Sequence, residues 1–465
     1  MNTTIERFGV DEALIRRFDM PGPRYTSYPT ADRFHEGFDA KTHVKWLDHR
    51  DRIERDKPLS LYVHLPFCAS ICYYCACNKV ITKDHSRSAK YLDYLEKEIK
   101  LQTSYLPNSR YVTQMHFGGG TPTFLNAAEL SRLMRMLRDH FDFAEHGEYA
   151  IEIDPRSADD TMIHLLADLG FNRMSIGVQD FDHAVQKAVH RIQPEEMTMR
   201  TLSTARACGF QSINMDLIYG LPKQTPEGFG RTLERVLHAS PDRVALYSYA
   251  HLPARFKPQR RIAPEDMPTA EVKLEIMLLA INMMLEAGYQ YVGMDHFARE
   301  DDELAIAQRN GSLHRNFQGY TTQADCDLLA LGISSISKIG ASFSQNMKTL
   351  DEYYDSLDRG VLPITRGFEL SEDDLIRRNV IMDLMCQGTV SMAAVENTHG
   401  IVFREYFSKE LVELQQQFEP EEMLTVSETA IQITPKGRFF LRGIAMVFDR
   451  YFQSQVNPGR FSKLI

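Results

Sequence analysis

The 465-residue sequence lacks several features that define common classes of protein. No apolar run approaches the length of a membrane span, and residues 1–7 lack the apolar core of a signal peptide. Positive charge is also scarce, because 53 Lys and Arg residues face 63 Asp and Glu residues, for a net charge of −10. A general nucleic-acid binder needs a basic surface. We therefore expect a cytoplasmic protein that neither spans a membrane nor binds nucleic acid.

Cysteine is sparse along most of the chain and concentrated in one short stretch. Four of the seven cysteines lie within ten residues, directly after a strand-like run at 59–65, and they are Cys68, Cys72, Cys75 and Cys77. The other three stand alone among apolar neighbours. The small and polar residues between the clustered cysteines are typical of a loop, so these thiols are not simply core residues.

Three kinds of chemistry fit this cysteine cluster. A disulfide pair is disfavoured because the sequence carries no mark of secretion. Structural zinc sites usually draw two pairs of ligands from separate segments, whereas all the sulfur here comes from one loop. A single loop can wrap a compact iron–sulfur cluster. The spacing alone favours iron–sulfur but leaves Cys77 open as a fourth ligand.

Strand-like and helix-like segments alternate from residue 59 to about 297. The predicted strands cover 59–65, 112–117, 149–153, 173–178, 212–218, 244–249 and 289–294, with helical patterns between them. Strict alternation predicts βαβ units and a parallel sheet. In such sheets the functional groups gather at the carboxyl ends of the strands.

The polar and glycine-containing segments of the region follow this rule. Phe117-Gly-Gly-Gly-Thr-Pro-Thr123 ends the second predicted strand, and it is not a P-loop because Lys followed by Ser or Thr is missing. Glu152 lies between two isoleucines at the end of the third strand, where a carboxylate needs a partner. A structural ion pair is as good an interpretation of Glu152 as a binding role.

The spacing Cys68-x3-Cys72-x2-Cys75, with an aromatic residue before the third cysteine, resembles the signature of radical S-adenosylmethionine enzymes. The flanking residues are more specific. The segments 61–68 and 75–79, the proline-broken segment 24–30 (Arg-Tyr-Thr-Ser-Tyr-Pro-Thr) and the segment 316–320 (Asn-Phe-Gln-Gly-Tyr) resemble the oxygen-independent coproporphyrinogen III oxidase family, also called dehydrogenases. The similarity extends over most of the chain.

The resemblance implies an α/β fold, namely an incomplete (β/α)6 TIM-like barrel of the radical SAM type. An N-terminal arm would occupy 1–52 near the mouth of the active site, and the radical SAM core would occupy 53–290. A core extension and substrate-side segment would follow at 291–364. The final predicted segment, 365–465, is a mainly helical C-terminal domain. Helical patterns there flank a predicted hairpin, an order that resembles a winged helix.

The resemblance also implies the cofactors, one 4Fe-4S cluster and S-adenosylmethionine, the latter in two molecules. Cys68, Cys72 and Cys75 would bind three irons of the cluster, and the amino and carboxylate groups of S-adenosylmethionine would bind the fourth. The residues carried over to cofactor binding are Tyr62, Tyr74, Gly119, Gly120, Thr121, Glu152, Gln179, Arg191, Asp216, Ala250 and Ile336. Among them, Gln179, Arg191, Asp216 and Ala250 match the set associated with the second molecule.

The implied reaction converts two propionate groups of coproporphyrinogen III to vinyl groups, giving protoporphyrinogen IX in haem biosynthesis. A 5'-deoxyadenosyl radical would take hydrogen from the propionate β-carbon, and loss of carbon dioxide and one electron would follow. This step needs no acid or base from the protein, so we name no catalytic side chain. The reductant and the electron acceptor stay unidentified, and we expect a monomer.

A tetracarboxylate substrate needs local positive charge in this acidic protein. The loop after the sixth predicted strand contains three arginines within the seven residues 255–261, namely Arg255, Arg260 and Arg261. They are the best local candidates to bind the substrate carboxylates, although a charge run is usually a solvated loop. By resemblance, Arg24 would pair with a carboxylate, and Gln318 would contact substrate.

Three alternatives remain at this point. A haem-binding chaperone with the same core is the closest, but such relatives usually lack the fourth cysteine and the arm at 24–30. A radical methyltransferase and a zinc-stapled barrel without radical chemistry are the others.

Overall fold

The computed structural model describes residues 10–18, 22–323 and 326–452. The chain forms two compact units, each assembled from separate stretches. The larger unit comprises 34–277 together with the described part of 325–369, and the smaller one comprises the described parts of 1–33, 278–324 and 370–465. Because both units are discontinuous in sequence, they do not correspond to the four consecutive segments predicted above, and that division stays a prediction.

Strands and helices alternate along most of the chain. The strands are β1 Leu59–Leu65, β2 Phe67–Cys68, β3 Val80–Ile81, β4 Tyr111–Gly119, β5 Asp142–Ile153, β6 Arg173–Gln179, β7 Ser212–Tyr219, β8 Arg243–Ser248, β9 Tyr289–Gly293, β10 His296–Arg299, β11 His314–Asn316, β12 Gly319–Thr321, β13 Asp327–Leu331, β14 Ile336–Ile339, β15 Ser342–Asn346, β16 Ile364–Glu369, β17 Thr389–Ser391, β18 Leu424–Val426 and β19 Ala430–Ile433. The helices are α1 Glu12–Phe18, α2 Ala40–Ile53, α3 Ser86–Ser104, α4 Ala127–Arg138, α5 Asp160–Asp168, α6 His183–Ala188, α7 Glu195–Ala207, α8 Pro226–Ala239, α9 Ala270–Glu286, α10 Glu303–Asn310, α11 Leu350–Asp358, α12 Glu372–Gln387, α13 Met392–His399, α14 Phe403–Tyr406, α15 Ser408–Gln417 and α16 Leu441–Met446.

The main sheet of the larger unit runs in the order β16-β15-β14-β13-β1-β4-β5-β6-β7-β8. From β13 to β8 neighbouring strands are parallel, while β13 to β16 form antiparallel pairs. The strands β1, β4, β5, β6, β7 and β8 follow one another in space as they do in sequence. This order is the predicted incomplete (β/α)6 arrangement, which is confirmed.

The central strands of the sheet are largely buried. β1 is buried at six of its seven positions, and β13 is buried throughout. Such continuous burial is typical of parallel strands, whose crossover helices pack on the sheet. Several helices begin at side-chain caps, for example α4 at Asn126, which forms a capping box with Glu129.

The extension β13–β16 shows what the sequence pattern did not reveal. β13 pairs in parallel with β1, with Leu59 opposite Asp327, although 268 residues separate them. Its short apolar run resembles any buried segment, and long-range pairing leaves no periodic signal in the sequence. The core sheet therefore continues on the side of β1 opposite to β4.

The smaller unit contains a three-stranded sheet in the order β17-β19-β18 and the helices α12 to α16. Its predicted helices and its hairpin are present. The helical sequence pattern at 404–417 is divided into α14 and α15 at Phe407, whose backbone lies outside the helical region (φ −104°, ψ 28°). Its winged-helix character stays a prediction. No helix within the described ranges is long and apolar enough to cross a bilayer.

One buried carboxylate joins three segments of the larger unit. Glu98 on α3 is fully buried and accepts hydrogen bonds from Tyr353 Oη at 2.6 Å, Gly332 N at 2.7 Å and Asn346 Nδ2 at 2.6 Å. Burial raises the pKa of Glu98 from the usual 4.5 to about 7. The folded protein therefore binds this proton more tightly than the unfolded chain does.

This difference in proton affinity predicts how stability depends on pH. The contribution of Glu98 is largest below pH 4.5 and decreases as pH rises through 7, by about 3 kcal/mol in all. We expect the difference in unfolding free energy between wild type and Glu98→Gln, measured with urea, to fall by this amount as pH rises from below 4.5 to above 7. Glu96→Gln, on the same helix, is the matched control. Lys100 and Arg132 lower the pKa of Glu96, so its contribution to stability should decrease as pH falls, opposite to that of Glu98. Parallel curves for wild type and Glu98→Gln would contradict the prediction.

Candidate active site at the carboxyl ends of the parallel strands

The cysteine loop leaves the carboxyl end of β1 and is held against the glycine loop after β4. Gly120 N donates to Leu65 O at 2.8 Å, and Thr121 N donates to Phe67 O at 2.9 Å. Within the loop, Cys72 is buried, Cys68 and Cys75 are half-buried, and Cys77 is exposed. The two motifs are therefore fixed to each other by backbone hydrogen bonds.

A cavity of about 170 Å³ opens at this edge of the sheet. It brings together eleven of the residues selected from the sequence: Cys68, Cys72, Cys75, Tyr74, Gly119, Gly120, Thr121, Glu152, Gln179, Arg191 and Asp216. These residues come from five strand ends and the following loops. The prediction that functional groups meet at the carboxyl ends of the strands therefore describes this cavity well.

Positive charge surrounds the sulfur of Cys72. Arg156 Nη2 lies 3.4 Å and Arg191 Nη1 lies 3.6 Å from its Sγ atom. Both guanidinium groups also pair with Asp154, at 2.6 and 3.0 Å. Burial alone would raise the pKa of Asp154, but Arg191 and Arg156 lower it to about 2. Two cations thus face one carboxylate and the sulfur of Cys72.

The neighbouring cysteines lie in different surroundings. Burial raises the pKa of the Cys68 thiol to about 11, although Thr121 Oγ1 donates to its sulfur at 3.4 Å. A hydrogen bond from Cys77 lowers the pKa of Cys75, and Lys79 adds to this effect. Lys79 Nζ also donates to Cys75 O at 2.8 Å. A buried thiol such as Cys68 becomes a thiolate when a metal replaces its proton.

The glycine loop lets the backbone approach its neighbours closely. Gly119 has a left-handed backbone (φ +112°), and its N–H donates to Glu152 Oε2 at 3.3 Å. A Cβ atom on Gly120 would lie 2.6 Å from the backbone C and O atoms of Pro66. Larger side chains would therefore separate the glycine loop from the cysteine loop.

Glu152 sits between the glycine loop and β4. Its Oε1 atom lies 3.2 Å from His116 Nε2, which identifies the structural partner that the sequence did not specify. Burial would raise the pKa of Glu152, but the hydrogen bond and charge of His116, the Gly119 N–H and the charge of His64 together outweigh it and lower the pKa. The carboxylate is therefore ionised beside the backbone of Gly119.

The ends of β6 and β7 contribute the other polar groups of the cavity. Gln179 has a left-handed backbone (φ 67°) at a register shift between β6 and β7, and such a bulge re-aims a side chain. Asp216 accepts from Ser175 Oγ and Asn214 Nδ2, both at 2.8 Å. Burial raises the pKa of Asp216 to about 6.

Three predicted cofactor residues are not part of the cavity lining as the described residues outline it. Tyr62 stacks on His116 with ring centroids 5.9 Å apart. Ala250 O accepts from Gln259 Nε2 at 3.2 Å, and Ile336 is half-buried on β14. Their roles stay predictions.

The predicted substrate residues also lie elsewhere. Arg255, Arg260 and Arg261 are exposed in and before the turn Lys257–Arg261, with no carboxylate partner among the described residues. In the smaller unit, Arg24 forms an ion pair with Asp295, so its charge is already compensated there. Gln318 is half-buried. These assignments stay predictions as well.

Asp154 and Arg156 line the cavity but were not selected from the sequence. Both follow β5 directly, in the segment Ile151-Glu-Ile-Asp-Pro-Arg156, so their position at a strand end was a usable signal. Arg191 was selected by resemblance. The geometry adds that its Nε atom is buried without a hydrogen-bond partner among the described residues.

The arrangement fits an iron–sulfur cluster better than a single ion. Across the described ranges, no three His, Cys, Asp or Glu side chains stand close enough to hold one metal ion. A zinc ion needs its sulfur ligands about 2.3 Å from one centre, whereas the irons of a cluster are separate and keep their ligands apart. Within the described residues, Cys68, Cys72, Cys75 and Cys77 form no disulfide bond.

Comparison with known proteins identifies the family of the chain. Residues 62–236 match the Radical SAM superfamily, and residues 370–440 match the HemN C-terminal domain. The oxygen-independent coproporphyrinogen III oxidase of Pseudomonas aeruginosa is 51% identical over 457 residues, covering 98% of each chain. The Escherichia coli enzyme of that name is 46% identical over 463 residues, covering 99% of this chain and 100% of its own.

A solved structure shows the same fold. The coproporphyrinogen III oxidase of Escherichia coli, described as a radical SAM enzyme, superposes with a TM-score of 0.90 at 46% identity. The match covers 95% of this chain and 99% of the other. The fold and the cysteine loop define the class, that of the radical SAM enzymes, which implies a 4Fe-4S cluster and S-adenosylmethionine. Within this class, the chain belongs to the oxygen-independent coproporphyrinogen III oxidase family.

The contact between the two loops predicts the effect of a glycine substitution. Gly120→Ala forces a Cβ atom against the Pro66 backbone, so we expect a loss of about 2 kcal/mol in unfolding free energy and less iron after anaerobic reconstitution. Gly209→Ala is the control, because its Cβ would meet no atom within 4 Å and only its left-handed backbone (φ +82°) is penalised. Full iron content in Gly120→Ala would contradict the prediction.

Proposed function

We infer that the protein catalyses the oxidative decarboxylation of two propionate groups of coproporphyrinogen III to vinyl groups, giving protoporphyrinogen IX in haem biosynthesis. The observation that carries this inference is the strand-end cavity, in which the cysteine loop, the glycine loop and the carboxylates of Glu152, Asp154 and Asp216 meet. Similarity to oxidases over 98% of the chain accompanies it. This similarity also favours the oxidative decarboxylation over haem binding by a chaperone.

We propose that Cys68, Cys72 and Cys75 hold the 4Fe-4S cluster. The arginines beside Cys72 would stabilise the negative charge that thiolate ligands bring into the cavity. When bound, the cluster and S-adenosylmethionine supply the 5'-deoxyadenosyl radical that takes hydrogen from the substrate. Cys77 is exposed and hydrogen-bonded to Cys75, and it would stay outside the ligand set.

We propose that the remaining cavity residues orient S-adenosylmethionine. Glu152 and the backbone of the glycine loop offer acceptors to its amino group, and Tyr74 offers an aromatic face. The carboxylate of Asp216 and the free Nε of Arg191 are suited to a charged second molecule. Binding of two molecules is supported by the separation of these polar groups into one set at the ends of β4 and β5 and another at the ends of β6 and β7.

The assignment of function predicts a specific pattern among cysteine variants. Reconstituted wild type should be brown and, with dithionite and S-adenosylmethionine, should convert coproporphyrinogen III to the divinyl product. Cys72→Ser should lose both cluster and activity, since a thiolate ligand is removed. Cys208→Ser, at the end of α7 and away from the cavity, should keep both. The measurements are iron content and product mass under strict exclusion of oxygen.

Wild-type protein that carries the cluster and cleaves S-adenosylmethionine but releases no carbon dioxide from coproporphyrinogen III would contradict the assignment. Haem binding without turnover would instead support the chaperone alternative.

The titration of Asp216 predicts how cofactor binding depends on pH. With its pKa raised to about 6, Asp216 is mostly protonated at pH 5 and mostly ionised at pH 7. If the ionised form binds cationic S-adenosylmethionine, affinity should rise about tenfold over this range. Asp216→Asn should abolish the rise in calorimetric titrations of the cluster-loaded protein.

Asp180→Asn is the matched control for Asp216. Asp180 is also buried, and burial also raises its pKa, but it bonds to Thr232 and Gln224 and does not line the cavity. This variant should therefore retain the pH dependence of the wild type. An unchanged pH dependence in Asp216→Asn would exclude Asp216 from cofactor binding.

A further inference from the structure

The hairpin β11–β12 of the smaller unit is rigidly held. Its strands pair with Arg315 opposite Tyr320. The Tyr320 ring is buried, and its hydroxyl donates to Met385 O on α12 at 3.1 Å. From the same helix, Gln387 Nε2 donates to Leu313 O at 2.6 Å. Side chains of this hairpin are thus presented from a fixed backbone.

Arg315 carries an uncompensated charge on this hairpin. Its Nε and Nη1 atoms are buried and have no hydrogen-bond partner among the described residues. The guanidinium carbon lies 4.6 Å from the centroid of the Tyr320 ring, which holds the group in place without neutralising it. A buried cation without an anion destabilises the folded protein, so such a group usually has a ligand or a partner.

A second arginine faces the same tyrosine. Arg438, in the turn Gly437–Phe440, interacts electrostatically with Tyr320, and burial lowers the pKa of Arg438. Burial raises the pKa of Tyr320 and of Cys386 to about 12, so neither supplies negative charge. The surroundings of the two arginines are therefore cationic at neutral pH.

The nearest carboxylate on α12 does not neutralise this charge. Asp383 accepts from Asn379 Nδ2 at 2.8 Å, and burial raises its pKa to about 6. Within the described ranges it forms no ion pair with Arg315 or Arg438, although other arginines of the unit do pair, such as Arg377 with Glu410 at 2.8 Å.

The turn of the hairpin provides a further donor. Gln318 Nε2 is buried without a hydrogen-bond partner among the described residues. The backbone N–H of Gln318 donates to Asn316 Oδ1 at 2.8 Å, and Gly319 has a left-handed backbone (φ +127°), which together fix the turn. Donors without acceptors on both Arg315 and Gln318 indicate a missing anionic acceptor.

We propose that Arg315, assisted by Arg438 and Gln318, binds a propionate carboxylate of the substrate. This inference rests on the proposed function, because it takes the ligand to be a tetracarboxylate porphyrinogen. A guanidinium group presents parallel donors that match the two oxygens of a carboxylate. Arg255, Arg260 and Arg261 are exposed to solvent, whereas Arg315 is half-buried and its Nε and Nη1 atoms are shielded from water, which reduces the competition for a bound anion.

The test uses coproporphyrin III, the stable oxidised tetracarboxylate, titrated into anaerobic cluster-loaded protein. Arg315→Gln should raise its Kd by about tenfold to a hundredfold, since a charge-assisted hydrogen bond is lost. The Kd of Arg315→Lys should lie between those of wild type and Arg315→Gln, because lysine keeps the charge but not the paired donors. Arg299→Gln is the matched control, because Arg299 is exposed and pairs with Asp301.

Two further measurements separate binding from a structural role. The uncharged tetramethyl ester of coproporphyrin should bind wild type and Arg315→Gln equally. The Tm of the ligand-free variant should equal or exceed that of wild type, because an unpaired buried charge has been removed. A lower Tm with unchanged Kd, or equal weakening of acid and ester, would overturn the proposal.

Failure of the inference is distinguishable from failure of the proposed function. If wild type makes the divinyl product and Arg315→Gln binds coproporphyrin III normally, only the inference is wrong. If wild type shows no turnover but Arg315→Gln still loses tetracarboxylate binding selectively, the carboxylate site is supported and the reaction assignment is wrong.

Discussion

The structure depends on the parallel pairing of β1 with β4, which sets Leu65 opposite Gly119. Backbone hydrogen bonds continue beyond the strands, from Gly120 to Leu65 and from Thr121 to Phe67, so the cysteine loop and the glycine loop form one unit. Only glycine fits at 120, because Pro66 lies too close for a side chain. The strand ends β5, β6 and β7 then add their polar groups to the same edge, as parallel topology requires.

Much of this arrangement could be predicted from the sequence because it rests on local patterns. The run at 59–65 is apolar and is followed by cysteines, and the alternation of strand and helix gave the order β1, β4 to β8 correctly. Parallel topology then places the strand ends together. The pairing of β13 with β1 could not be predicted in this way, since Asp327 and Leu59 are joined only by the fold.

Side-chain partners were also beyond the sequence, because charge compensation depends on distance. Arg24, for example, pairs with Asp295, a partner that its sequence context did not indicate, and its role toward substrate stays a prediction. Conversely, no sequence pattern marks Arg315 as a binding residue. In the structure its buried Nε and Nη1 atoms have no hydrogen-bond partner among the described residues. In an acidic protein with net charge −10, the useful positive charges are those that carboxylates do not fully compensate. Beside Cys72 two arginines share Asp154, and near Tyr320 the described residues give Arg315 no carboxylate partner.

Hydrogen transfer from substrate is the claim on which the functional account depends most directly. The measurement is made with coproporphyrinogen III deuterated at the propionate β-carbons, incubated anaerobically with reduced, cluster-loaded protein and S-adenosylmethionine. Mass spectrometry of the nucleoside product should find 5'-deoxyadenosine carrying one deuterium atom, formed together with the vinyl product. Divinyl product accompanied by unlabelled 5'-deoxyadenosine, or formed without it, would contradict the account.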